Sequence, residues 1–209
     1  MFSYMVPDGR CWLAGLLLLA LAGCGGFSLQ PRPMALYELG LGASAAVRPA
    51  LVPARIEVAS PPWLETTAMQ YRLAWNDPGR RRAYAESRWV SPPAAMLGLN
   101  LQRALQPAAA PGRCRLHVDV DEFIQEFATA ERSHARIVLR AALYPSRSET
   151  AVAMREFSGS ADASRADASA GAEALRVATD RVVAEIVAWL AALDRGEDGA
   201  LNAAGRCSA

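Results

Sequence analysis

His117 and His134 are the only imidazoles in this chain. Any general base working near neutral pH is therefore one of these two or a carboxylate with a raised pKa. His117 lies in the stretch CRLHVDVDEF, where Asp119 and Asp121 follow at intervals of two. In an extended chain that spacing puts all three side chains on one face. Two carboxylates beside an imidazole could pass protons or begin a divalent cation site. A cation needs further ligands, and none follows nearby in sequence. The competing reading is a solvated strand face. His134 opens the stretch HARIVLRAALY. No G-x-S-x-G, H-E-x-x-H, C-x-x-C or glycine-rich phosphate loop occurs. The expectation is a protein without catalytic residues, metal or cofactor.

The four cysteines carry more information. Cys24 closes the segment Trp12–Cys24, about a dozen apolar or small residues, against the roughly 20 that a membrane-spanning helix needs. Only Arg10 precedes it as a basic residue. This is the layout of a secretory signal. Leu21, Ala22 and Gly23 before Cys24 resemble the lipobox of bacterial lipoproteins. There the thiol takes a diacylglyceryl group, small residues admit the peptidase, and the mature chain begins at the cysteine. Acyl chains of the palmitate class, two or more together, anchor stably where one does not. Gly25 follows, where aspartate would resemble an inner-membrane retention signal. The expected location is the outer membrane, periplasmic face. Cys11 would leave with the signal. Cys114 and Cys207 then remain in an oxidising compartment, either as one disulfide closing a loop of more than 90 residues or as two unpaired thiols.

Composition narrows the classes further. The chain has 209 residues, 52% apolar, with a net charge of +1. That is enough for one medium domain with a real core, and it offers no electrostatic argument for nucleic acid. All 22 basic residues are arginine.

The elements follow from periodicity. Phe27–Met34 reads as a polar tether. Ala35–Gly40 is a short strand, and Leu41–Pro53 a Gly/Ala/Pro loop. Ala54–Ser60 alternates Ile56 and Val58 with Arg55 and Glu57, as a half-buried strand does. Trp63 stands in a Pro-Pro turn and looks exposed. Met69–Trp75 is a third strand, turning at Asn76–Gly79 into a partner at Arg82–Glu86. Ser91 is a candidate N-cap for a helix with Pro92 and Pro93 in its first turn. Leu97, Leu101 and Leu105 form that helix's apolar stripe, with Met96 and Ala104 beside it. Next comes an antiparallel strand pair. Leu116, Val118 and Val120 face inward on the first strand, and Ile137, Leu139, Ala141 and Leu143 on the second. The connector is near Ala128–Ser133. A third meander strand, TAVAMREFSGS, leads to a final helix ending near Gly196. That helix is striped by Leu175, Val182, Ile186, Trp189 and Leu193. The expected fold class is α+β: a two-layer sandwich, with two helices on one face of a mainly antiparallel sheet.

The segment Tyr71–Leu105, YRLAWNDPGRRRAYAESRWVSPPAAMLGLNLQRAL, resembles the ABC-type transport auxiliary lipoprotein family, the PqiC-like lipoproteins. The matching features are Tyr71 and Arg72, the Asn76–Gly79 turn, Tyr84, Arg88 and Trp89, Pro92 and Pro93, then Met96, Leu97 and Leu105 on the helix. The lipobox, the LHVDVDEF and ARIVLRAAL strands and the closing AEIVAWLAALD helix extend the similarity over most of the mature chain. The Gly/Ala-rich loop at 41–53 departs from the pattern.

The resemblance implies a non-enzymatic part in moving phospholipid or other hydrophobic molecules, beside an ABC transporter and an MCE-domain (MlaD-like) protein. It divides the chain into a signal peptide at 1–23, a lipidated tether at 24–34, one auxiliary-lipoprotein domain at 35–196 and a flexible tail at 197–209. Aromatic and arginine side chains combine contact area with directed polar contacts. Tyr71, Arg72, Tyr84, Arg88, Trp89 and Trp63 are therefore the candidate partner interface, each with core packing as its alternative. Assembly with copies of itself is an expectation from fold analogy alone. Two other readings stand beside the first: an assembly lipoprotein for an outer-membrane machine, such as lipopolysaccharide assembly, and a lipid-tethered periplasmic hydrolase using His117 or His134.

Overall fold

The computed structural model describes residues 33–42, 52–105, 112–195 and 203–207. Cys24, the signal segment, most of the tether and the loop at 43–51 lie outside them. Met34–Ala209 forms one compact unit. Its strands are β1 (Ala35–Tyr37), β2 (Arg55–Ala59), β3 (Ala68–Leu73), β4 (Asp77–Trp89), β5 (Cys114–Phe127), β6 (Ser133–Pro145) and β7 (Ala153–Asp162). A 3-10 turn spans Pro62–Leu64. The helices are α1 (Pro93–Ala104), α2 (Ala168–Asp194) and the short α3 (Ala203–Cys207).

The seven strands form one sheet, ordered β1-β4-β3-β5-β6-β7, with β2 also on β5. The long ladders β5–β6 and β6–β7 are antiparallel. The second edge of β5 is shared: β2 runs parallel to its first half and β3 parallel to its last residues. Helix α1 packs on β2, helix α2 packs on β5, β6 and β7, and the helices touch each other. This is the expected α+β sandwich. Its core joins Leu116, Val118, Val120, Leu139 and Phe157 of the sheet to Leu97, Leu101, Leu175, Val182 and Ile186 of the helices. At Gly159 a Cβ would come within 2.5 Å of Val182 and 2.9 Å of the Ala178 carbonyl oxygen. Glycine is what lets β7 approach α2 so closely.

Three local expectations are corrected. The β3–β4 reversal falls at Ala74–Asn76, where the Asn76 N–H donates to Leu73 O (3.1 Å), and Asp77 already pairs with Leu73. Pro78, Gly79 and Arg80 occupy an irregularity between the Leu73–Asp77 and Arg72–Arg81 pairs. Proline has no ladder N–H, and a strand tolerates it at such a place. Beyond that irregularity β4 runs past Glu86 to Trp89. Ser91 is not the cap of α1. Pro93 restricts the residue before it, so Pro92 sits extended (ψ 144°) in the N-cap position with no side-chain cap.

The third correction is at the tail. Residues 203–207, expected to be free, form α3, and Cys207 is bonded to Cys114 at a Cα–Cα distance of 5.0 Å. The Arg113 N–H donates to Cys207 O at 2.8 Å. Both sulfur-bearing side chains are buried. Reducing this bridge, or replacing both cysteines with serine, is expected to cost about 2–4 kcal/mol. Urea unfolding with and without reductant measures it; an unchanged midpoint would contradict a structural role.

Helix α2 begins where Asp167, extended, accepts a hydrogen bond from Ala170 N–H at 2.8 Å. That bond and Arg165 hold its carboxyl below the usual carboxylate range. The Arg140 hydrogen bond does the same for Asp121, and Arg176 for Glu173. A carboxylate whose pKa is lowered by folding stabilises the fold above its unfolded pKa, roughly 4, and loses this as pH falls through the folded value. Thermal stability is expected to hold from pH 7 to 5 and to fall below about pH 4. Asp167→Ala is expected to cost about 1 kcal/mol at pH 7. The gap to wild type should close in acid, and melting curves across the pH series would show whether it does.

Candidate interaction surfaces

The sheet face away from the helices carries the charged half of each strand's alternation. On β5 the alternation slips at Asp121, which is left unpaired between Val120–Leu139 and Glu122–Val138. Asp121 and Glu122 consequently both carry ion pairs with arginines of neighbouring strands. The adjacent acids in VDVDEF are the sequence signal of that bulge. His117 lies 3.2 Å from Asp119 and 3.6 Å from Glu57, half-buried on this face. Arg140 binds Asp121 at 2.7 and 2.9 Å and approaches Asp119 at 3.8 Å. The two aspartates considered for a cation therefore already face a guanidinium. His134 is 3.9 Å from Glu126. Among the described residues no three His, Cys, Asp or Glu side chains are grouped to hold a metal.

The six candidate interface residues separate. Tyr71 and Tyr84 pack with ring centres 4.6 Å apart and planes tilted by 38°, and Tyr71 meets Phe127 edge-on at 5.7 Å. Burial is the largest cause raising the Tyr84 phenol above its usual pKa. It therefore remains a donor, and its O–H donates to Gln125 Oε1 at 2.9 Å. Gln125, fully buried, donates in turn to Ser133 Oγ (2.8 Å) and to Asp167 O (3.2 Å). This network, unforeseen in the sequence, ties β4, β5 and β6 to the start of α2. Arg72 donates to Glu122 (2.8 Å) and Glu126 (3.1 Å), and Arg81 also binds Glu122. Arg88 donates to the backbone oxygens of Tyr84 and Ser87. Trp89 is 2% exposed, edge-on to Phe123 at 5.7 Å. Its place in an interface is corrected: the strand that ends at it turns it into the core. Of the six, Trp63 alone is largely exposed, at 55%.

Other exposed apolar groups escaped the periodicity argument. Leu41, Val90 and Leu99 rim a cleft of about 200 Å³ floored by Leu39 and Met96. Its polar wall, Asn100, is satisfied: Oδ1 accepts from Gly42 N–H at 2.6 Å and Nδ2 donates to Met96 O at 3.1 Å. Leu99 lies off the 97/101/105 stripe, which was the available signal. At the other end of the sheet, Trp75 stands 54% exposed in the β3–β4 turn. No helix among the described residues is long and apolar enough to cross a membrane.

No family model matches the sequence, and no curated protein matches it. Solved structures do. A Xanthomonas campestris protein described as DUF330 superposes with a TM-score of 0.63 at 23% identity, over 78% of this chain and 97% of that one. A second, described as an uncharacterized protein, gives 0.58 at 15% identity, over 76% of this chain and 99% of that one. At these identities the likeness is one of fold.

Proposed function

We propose that this chain is an envelope lipoprotein, acylated on Cys24 and held at the periplasmic face of the outer membrane. There it serves as a non-enzymatic accessory component of an ABC/MCE-type system moving lipid or another hydrophobic compound. The observation that carries the reading is Leu21-Ala22-Gly23-Cys24 closing a short apolar run ahead of the domain at 34–209. Two features agree with it. The domain has the α+β layout into which the matching strands and closing helix were expected to fall. The Cys114–Cys207 bridge suits an oxidising compartment.

Crosslinking in whole envelopes, followed by purification of the tagged protein, tests the partner. Recovery of an MCE-domain protein and its ABC transporter is expected. Recovery of a β-barrel assembly partner alone would replace this reading with the assembly lipoprotein. For the hydrolase alternative, turnover by the purified protein that is lost on mutating His117 or His134 would overturn the non-enzymatic role.

A further inference from the structure

We infer that the β3–β4 hairpin tip, with Trp75 and Arg80, is the end of the domain that rests on the anchoring bilayer, its indole and guanidinium taking phospholipid headgroups. The inference builds on the reading that Cys24 is acylated. Its first support is the direction of the chain. Strand β1 runs parallel to β4, with Ala35 beside Ser87 and Tyr37 beside Trp89. Because β4 runs away from the tip, so does β1, and the chain therefore enters β1 from the tip side. Arg80 is seven residues from Ser87, about 23 Å at ~3.3 Å per residue. The eleven steps from Cys24 to Ala35 span at most roughly 36–40 Å. Eleven steps are thus long enough for an acylated Cys24 to lie past the tip. The apolar cleft lies beyond the other end of β1, where Val90 N–H bonds to Tyr37 O.

The second support is the chemistry of the tip. Pro78, Gly79 and Arg80 are all exposed in the irregularity opposite Arg72 and Leu73, and a Cβ on Gly79 would meet nothing within 4 Å. Among the described residues Arg72 and Arg81 are committed to Glu122 and Glu126, while Arg80 has no acidic partner. The acids nearest in sequence are Asp77, half-buried in the tip, and Glu86, further along β4; Glu131 is exposed beside Arg132 in the β5–β6 turn. Ala74 N–H joins that turn's base at Phe127 O (3.0 Å). An exposed indole is the side chain that settles at headgroup depth, and a free guanidinium binds phosphate through paired N–H donors.

The test uses the full processed lipoprotein reconstituted into vesicles whose phospholipids carry bromine in the upper acyl chain. Trp89 and Trp189 are buried, so surface quenching can come from Trp63 or Trp75. Wild-type fluorescence is expected to be quenched. Trp75→Phe should remove half or more of that quenching, and Trp63→Phe should leave it. Arg80→Gln should weaken it more on phosphatidylglycerol vesicles than on phosphatidylcholine vesicles. Vesicle flotation, read first, separates the two claims: a protein that does not float overturns the anchor and this inference with it. A protein that floats, yet is quenched equally with Phe at 75 or only through Trp63, overturns the tip alone and leaves Trp75 to a protein partner.

Discussion

Trp89→Ala is expected to destabilise the domain by about 3–5 kcal/mol, the largest effect of any single aromatic substitution here. The side chain is 2% exposed, stands edge-on to Phe123, and ends the strand that leads straight into α1. Alanine would leave a cavity beside Phe123 of the sheet, and the Pro92–Pro93 segment that follows has little freedom to collapse into it. Trp63→Ala, by contrast, removes a ring that is more than half in solvent and should change stability by no more than about 0.5 kcal/mol. The pair distinguishes two jobs that look alike in the sequence. Guanidinium unfolding of the two variants measures both. Equal losses would contradict the assignment of Trp89 to the core and Trp63 to the surface. If Trp89→Ala does not fold, Trp89→Phe keeps the comparison open, with a smaller loss expected from the smaller cavity.

Cys24→Ala is expected to abolish acylation and, because cleavage follows acylation, to leave an unprocessed chain that keeps the apolar segment ahead of residue 24. On the proposed reading stable attachment of the mature chain depends on the acyl chains. One chain binds only marginally, whereas two or more anchor stably. Removing the thiol removes the attachment point of all of them. The tip contact inferred for Trp75 and Arg80 orients the domain but is too small to hold it there unaided. Palmitate labelling in cells, with the Cys24→Ala protein checked for its intact Cys114–Cys207 bridge, gives the result: the wild type takes up label and the variant takes up none. A variant that still takes up palmitate, or is still cut to begin at residue 24, would contradict anchoring through Cys24.

Much of the architecture was legible because period-two alternation marks the first half of β5, most of β6 and the end of β7, and the 97/101/105 leucines mark one face of α1. The misses have local causes. NDPG carries strong turn residues, but the strands pair so that the reversal comes earlier and proline is absorbed in an irregularity. Ser91 has a capping side chain, yet Pro93 forces the cap onto Pro92. Of the six aromatic and arginine residues, Tyr71, Arg72 and Tyr84 converge on β5, whereas Trp89 turns into the core and Trp63 stands in solvent. Trp89 was the misplaced member, because composition does not tell a buried aromatic from a contact aromatic. Gln125 gave no signal at all: one amide in a strand becomes a four-element junction only through tertiary packing. Even Gly171 belongs to that junction, since a Cβ there would fall 1.8 Å from Gln125 Oε1.

The account turns on what is attached to one sulfur. Mass spectrometry of the N-terminal peptide of protein purified from envelopes reads this directly. The expected peptide begins at Cys24 and carries the mass of a diacylglyceryl group, with or without a further acyl chain on the amine. An unmodified N-terminal peptide, or one beginning at any other residue, would contradict it.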